Sequence, residues 1–290
     1  MVILLADAFA PDLPARLGTF GEVVTDVGRL SEAEVIIVRS KTKVDKAMID
    51  KAPKLKYVIR GGVGVDTIDV EYAKSKLIVV DNTPEASSLA VAELAFALML
   101  ALPNHIAEAD ASMKQGKWLK KELERTELGG KTLGLIGIGR IAREVASRAK
   151  AFGMKVIAYD KYVQSSDAAT MVSLDELYAA SDYISVHTPL TDETRGMIDA
   201  KAIAKMKKTA YLINTCRGPV VKTDDVAAAL KAGTLGGFAT DVYDKEPPEN
   251  LSLASAPHVV LTPHLGASTE ENLVRLGDCI VDRMRKYGKK

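Results

Sequence analysis

The feature that most constrains the fold of this chain is an alternation: short runs of β-branched and apolar residues, each followed by a stretch with helical spacing. Parallel strands need a crossover segment between them, and strands covered on both faces read as continuous apolar runs rather than alternating ones. The pattern predicts an α/β protein with doubly wound parallel sheets, helices on both faces. One series of candidate strands covers 2–6, 34–38, 56–60 and 77–80. A second covers 131–137, 155–160, 183–187, 210–214, 237–241 and 259–263. Between the two series, 86–116 reads as one long helical segment, a bridge between two domains. After the last strand, Ser268 with Glu271 three residues on reads as a capping box that opens a final helix.

At 290 residues the chain is long enough for two buried cores, and 47% apolar with 27% charged residues is the balance of a globular protein. A formal net charge of +1 gives no reason to expect nucleic acid or a membrane surface as partner. The N-terminus has no basic stretch ahead of its apolar run, so a cytoplasmic protein without signal peptide is expected. The apolar stretch 89–102 contains Glu93 and falls short of the ~20 residues that span a bilayer. Cys216 and Cys279 show neither metal spacing nor a disulfide framework. His105 and His258 have no companion ligands, so no metal site is expected.

One strand-to-helix turn carries a specific signal. Gly137, Gly139 and Ala142 follow an apolar strand and open a helix, in the G-x-G-x-x-G/A pattern of a dinucleotide site. The first glycine permits a tight turn, the second lets backbone approach a pyrophosphate, and the small third residue lets the helix pack closely. The helix start, with Arg140 and Ile141, then turns free amides and a positive dipole end toward phosphate. Asp160 ends the next strand, where a carboxylate accepts from an adenosine ribose and repels a 2′-phosphate. NAD is therefore the expected cofactor in preference to NADP, with Lys161 softening the preference.

Three residues near the end of the chain, Arg217, Glu246 and His264, lie in segments of the kind that close parallel strands. Histidine exchanges protons near neutrality, a carboxylate orients its ring, and a guanidinium fork matches a substrate carboxylate. With a hydride carrier nearby, the trio suits reversible oxidation of a small 2-hydroxy acid. His187, at a strand end, either lines the cofactor crevice or is a packed, hydrogen-bonded histidine. Cys216 is read as a small side chain filling a strand end.

The segments 112–118, 126–146, 186–190, 214–218 and 263–271 make the sequence resemble the D-isomer-specific 2-hydroxyacid dehydrogenase family over nearly its whole length. Within it the likeness is greatest to the branch acting on D-3-phosphoglycerate. The resemblance implies a Rossmann cofactor domain, 89–267, inserted into a flavodoxin-like substrate domain made of 1–88 and 268–290, with the active site in the cleft. It implies Arg217, Glu246 and His264 as the catalytic set. Thr188, Pro189, Thr215, Cys216, Asp241 and Gly266 would line the cofactor site. Arg39 and Arg60 would bind phosphate, and the backbone of Gly61, Gly62, Val63 and Gly64 the substrate carboxylate. A homodimer is implied, with Trp118, Lys117, Lys120 and Lys121 near the partner. Pro219 and Val221-Lys222 depart from the family pattern and leave the next helix to be capped by Thr223 or Asp224. No serine feedback is expected, since the chain ends before a C-terminal serine-binding domain could begin. Two other readings stay open: a glyoxylate or hydroxypyruvate reductase with the same trio, and an NAD-sensing corepressor-like protein on the same fold.

Overall fold

A computed structural model describes residues 1–249 and 252–288. Its contacts divide the chain into a smaller unit, Met1–Ser88 with Ala267–Lys290, and a larger unit, Leu89–Gly266.

In the smaller unit the elements run β1 (Val2–Leu5), α1 (Leu13–Leu17), β2 (Glu22–Val24), β3 (Val35–Val38), α2 (Lys46–Asp50), β4 (Tyr57–Arg60), α3 (Val70–Ser75) and β5 (Val79–Asn82), closing with α10 (Glu270–Tyr287). All five strands are parallel, in the order β2-β1-β3-β4-β5, which is the flavodoxin-like arrangement. The period of two along each strand sends alternate side chains to opposite faces. Ile3, Leu5, Val35, Ile37 and Ile59 pack with Leu13, Leu17, Ile280 and Met284 of α1 and α10. Leu4, Ile36, Val38 and Val58 pack with Met48, Ile49 and Ala73 of α2 and α3.

The larger unit continues with α4 (Ser88–Ala101), α5 (Ile106–Lys114), β6 (Thr132–Ile136), α6 (Arg140–Ala151), β7 (Lys155–Tyr159), β8 (Thr170–Met171), α7 (Leu174–Ala180), β9 (Tyr183–Val186), α8 (Ala200–Ile203), β10 (Tyr211–Asn214), α9 (Thr223–Lys231), β11 (Gly237–Thr240) and β12 (Val259–Leu261). Its parallel sheet runs β12-β11-β10-β9-β6-β7-β8. Counted from β6, this is the Rossmann order with a seventh strand added at one edge, and the order reverses between β6 and β9. Leu133 and Leu135 face α4 and α6 through Phe96, Met99, Val145 and Ala149. Ile136, Ile184 and Leu212 face α7, α8 and α9 through Leu177, Ile203 and Val226.

Several local expectations are corrected. The segment 86–116 is two helices meeting at 65°, because α4 ends at Ala101, Pro103 follows, and His105 takes a left-handed φ of 51°. The strand expected over 77–80 is Val79–Asn82. Leu77, at φ 60°, belongs to the turn closing α3, where its amide and that of Ile78 bond to the carbonyls of Lys74 and Ala73. The last helix is capped by Thr269, whose hydroxyl accepts from the Asn272 amide at 3.1 Å, and Ser268 takes no part in the cap. Neither Thr223 nor Asp224 caps α9. Lys222 precedes the helix without a side-chain cap, held by its amide on the Ile198 carbonyl at 2.8 Å, while Asp224 and Asp225 supply the charge that favours a first turn. Among the described residues no single helix is long and apolar enough to cross a membrane. α4 is apolar apart from Glu93 and its first serine, and Ala92, Ala95, Phe96, Leu98 and Met99 pack it into the core of the larger unit.

Candidate active site

The turn after β6 is built for close approach. Gly137 has φ 92°, and a Cβ placed there would lie 2.7 Å from the His187 carbonyl oxygen, so only glycine lets the ends of β6 and β9 meet at the reversal of strand order. Its amide donates to the Tyr159 carbonyl at 2.7 Å. Gly139 differs: a Cβ there would meet no protein atom within 4 Å. It stands at the N-cap of α6, where no side chain satisfies the first-turn amides. Open space before uncapped amides at a helix start is a cradle for an anion. Ala142 is fully buried and lets α6 lie against the sheet.

Asp160 shapes that cradle. One carboxylate oxygen accepts from the Ile138 amide at 3.0 Å, the other from the amides of Tyr162 and Val163 at 2.9 and 3.1 Å. The oxygen bonded to Ile138 retains a further lone-pair site that a ribose hydroxyl can fill, while the other is saturated by its two amides. Lys161 does not stand ready for a 2′-phosphate, since its ammonium pairs with Glu193 at 2.5 Å.

At the end of β9, His187 Nε2 bonds to the Ser185 hydroxyl at 2.9 Å, and burial lowers the imidazole pKa to about 4. The ring is therefore neutral near pH 7 and hydrogen-bonded within the fold. Thr188 and Pro189 continue this strand end, with the Thr188 hydroxyl beside the Cys216 thiol. At the end of β10 the Thr215 hydroxyl is buried without a hydrogen-bond partner, a polar atom of the kind a ligand satisfies. Burial pushes the Cys216 thiol up, and it bonds to Asn214 Oδ1 at 3.1 Å. These features fit a dinucleotide lying along the strand ends.

Asn214 also sets the backbone of Arg217, donating to its carbonyl at 3.0 Å while accepting from the Cys216 amide at 3.1 Å. Arg217 Nη1 bonds to the Cys216 carbonyl at 2.6 Å. The next residue, Gly218, leaves no room for a side chain: a Cβ would sit 2.1 Å from the Tyr243 carbonyl carbon. The segment after β10 is thereby pressed onto the segment after β11, which carries Glu246.

Glu246 and His264 form a pair, Oε2 to Nδ1 at 2.5 Å. Burial raises the Glu246 carboxyl, but the hydrogen bond from His264, the Tyr243 amide and the charges of His264 and Arg217 outweigh it and hold the group below the usual carboxylate range. An ionised carboxylate only accepts, so Nδ1 must carry the proton and Nε2 is left to exchange one with a substrate. The His264 side chain is 41% exposed, accessible from outside.

His264 has φ 54°, and Asp241 holds that backbone. One Asp241 oxygen accepts from the Thr262 hydroxyl at 2.6 Å and the Leu265 amide at 2.7 Å, the other from the Gly266 amide at 2.8 Å. Asp241 thus anchors the histidine loop, a role its sequence position did not reveal. A Cβ on Gly266 would lie 3.2 Å from an Asp241 oxygen, so little more than glycine fits.

The Arg39 amide donates to Asp7 at 2.6 Å and its Nη1 to the Ala8 carbonyl at 3.2 Å; burial lowers its pKa. Arg60 folds back over Gly62, where a Cβ would lie 1.4 Å from its Nη1, and bonds to the Gly61 carbonyl at 3.2 Å. The expectation that the whole 60–64 turn offers amides to a substrate is corrected. The Gly61 amide is taken by the Val38 carbonyl and that of Gly62 by the Thr83 hydroxyl, each at 2.8 Å. Val63 and Gly64 remain as candidate donors. Among the described residues no three His, Cys, Asp or Glu side chains are placed to hold a metal ion.

Sequence reasoning missed Asn214, Tyr243, Thr262 and Glu193. The Asn214 side chain bonds to Cys216 and Arg217, two and three residues on, and Tyr243 bonds to Glu246 three residues on, but the Tyr243 hydroxyl reaches Thr262, nineteen residues away, which no local spacing reveals.

Comparison with known proteins agrees with this geometry. A profile of the D-isomer specific 2-hydroxyacid dehydrogenase NAD binding domain matches residues 96–266, more than half of the chain. The D-3-phosphoglycerate dehydrogenase of Methanocaldococcus jannaschii is 43% identical over 98% of the chain and 57% of that protein. The hydroxypyruvate reductase of Thermotoga maritima is 47% identical over 89% of the chain and 85% of that protein. The chain spans about half the length of the phosphoglycerate dehydrogenases it matches. Among solved structures, the D-lactate dehydrogenase of Aquifex aeolicus, complexed with NAD and lactic acid, superposes with a TM-score of 0.88 at 32% identity, covering 100% of this chain and 96% of that one. With its strand order, glycine turn and matched domain, the chain belongs to the D-isomer specific 2-hydroxyacid dehydrogenase family.

Proposed function

We propose that this protein is an NAD-dependent D-2-hydroxyacid dehydrogenase that oxidises D-3-phosphoglycerate to 3-phosphohydroxypyruvate. The observation that carries the reaction type is the His264–Glu246 pair at 2.5 Å, with the charge of Arg217 acting on it. The ends of β6, β7, β9 and β10 would hold NAD, which when bound would supply the hydride acceptor. His264 takes the substrate hydroxyl proton at Nε2 in oxidation and returns it to the carbonyl oxygen in reduction. Glu246 stabilises the ring while it is cationic, and Arg217 grips the substrate carboxylate through its planar fork.

The choice of a phosphorylated substrate rests on Arg39 and Arg60, whose guanidinium geometry suits phosphate, and on similarity to the Methanocaldococcus enzyme. The similarity to the Thermotoga hydroxypyruvate reductase favours a second reading, reduction of hydroxypyruvate or glyoxylate by the same trio. A corepressor-like role has less support, because a sensor of NAD needs no paired imidazole and carboxylate. Initial rates on D-3-phosphoglycerate, phosphohydroxypyruvate, hydroxypyruvate and glyoxylate discriminate among the three. On the favoured reading, Arg39→Ala lowers kcat/KM for the phosphorylated pair about 10- to 100-fold, the effect of one charged hydrogen-bonding partner, and leaves hydroxypyruvate nearly unchanged. Equal losses on both would remove the phosphate argument.

We also propose a homodimer paired through the region around α5, where Ile106, Met113 and Trp118 are 57, 55 and 74% exposed. Sedimentation analysis of the protein and of Trp118→Glu tests it: the parent should sediment as a dimer and the variant as a monomer. The free thiols of Cys216 and Cys279 suit the reducing cytoplasm, the location we assign it.

A further inference from the structure

The two members of the acid/base pair sit on different segments, Glu246 after β11 and His264 after β12. Such a pair keeps its geometry only if something fixes one segment against the other. Asp241 fixes the histidine loop to the end of β11 but does not touch Glu246 in the bonds it makes. Tyr243 reaches both sides. Its amide donates to Glu246 Oε1 at 3.0 Å, and its hydroxyl donates to the Thr262 carbonyl at 2.8 Å. That same carbonyl accepts the His264 amide at 3.1 Å. One residue therefore orients the carboxylate from its backbone and holds the histidine turn from its ring. Burial, with the neighbouring Asp241 and Glu246 charges, raises the phenol pKa, which keeps the hydroxyl a donor.

We infer that Tyr243 is a positioning residue for the acid/base pair: its hydroxyl sets the distance between His264 Nδ1 and Glu246 Oε2. This deepens the dehydrogenase reading and rests on it for its catalytic consequence. Networks of this kind couple more strongly than isolated contacts, because each bond limits the freedom of the next. Tyr243→Phe removes one donor and keeps both the ring and the backbone amide.

The test uses the full chain with NAD bound and ¹⁵N-labelled histidine, of which there are four. The His264 Nδ1 proton resonance, assigned by its loss in His264→Gln, is far downfield when the bond to Glu246 is short. In Tyr243→Phe it should move upfield. The acidic limb of the kcat/KM profile for hydroxy-acid oxidation should shift about half a unit to lower pH, because a loosened carboxylate stabilises the cationic ring less. kcat should fall about 3- to 10-fold, the size of one hydrogen bond, with KM for NAD unchanged. A resonance and pH limb that coincide with those of the parent would overturn the proposal. The resonance is read without substrate, so its outcome stands whether or not the parent oxidises a 2-hydroxy acid.

Discussion

Arg217, Glu246 and His264 were legible as a candidate site because each follows an apolar run that reads as a parallel strand. Their side-chain types also suit one reaction. What could not be read was how the geometry is held. The Asp241 carboxylate spends both oxygens on the histidine loop, and Asn214 fixes the Arg217 backbone from one strand end. Two predictions belong to this scale. Arg217→Lys should lower kcat/KM about 10- to 100-fold, since a point charge replaces a two-pronged, charge-assisted contact worth about 1.5–3 kcal/mol; steady-state kinetics on the best substrate checks it. His187 supplies the second. Its folded-state pKa of about 4 lies below the ~6.5 of an unfolded histidine. The unfolded chain therefore takes up the proton first. The contribution of this residue to stability is complete above pH 6.5 and is lost as pH falls toward 4. Denaturant unfolding at pH 7.5 and pH 5 should show roughly 1–2 kcal/mol less loss of stability in His187→Gln than in the parent. Equal losses would mean the ring is protonated in the fold.

Among elements, the long β-branched runs were plain in the sequence and the short ones were not. β2 and β8, of three and two residues, are too short to show a period, and β5 was displaced by the turn at Leu77. Helix starts were also misread. Thr269 rather than Ser268 caps α10, and α9 begins without a side-chain cap, because neighbouring backbone rather than local spacing decides which residue turns into the helix. The glycine turn was legible for a physical reason, since Gly137 allows the close approach of two strand ends and Gly139 leaves open space before uncapped amides. Gly137→Ala must force a Cβ against the His187 carbonyl at a left-handed φ, so it should cost about 1–3 kcal/mol of stability in thermal or denaturant unfolding. Gly139→Ala meets only open space, so it should unfold like the parent yet bind NADH at least tenfold more weakly in a fluorescence titration. If Gly139→Ala bound NADH normally, the pyrophosphate would not lie over that residue.

At the scale of the whole chain, alternation announced parallel α/β structure, but strand order is a property of pairing partners far apart in sequence. Only the coordinates show that order reversing between β6 and β9, beside the glycine turn. The reversal gives a dinucleotide a crevice, and the cofactor preference belongs to it as well. If Asp160 accepts from the adenosine ribose, with Lys161 paired to Glu193, kcat/KM with NAD should exceed that with NADP by at least tenfold. The central claim is that one histidine moves the proton when a 2-hydroxy acid is oxidised. Its most direct test is the rate of NADH formation from the best substrate of the panel, for the parent and for His264→Ala. Turnover should be measurable in the parent and fall about 10²- to 10⁴-fold without the imidazole, the range for a positioned acid or base. Turnover by His264→Ala within a few-fold of the parent would contradict it.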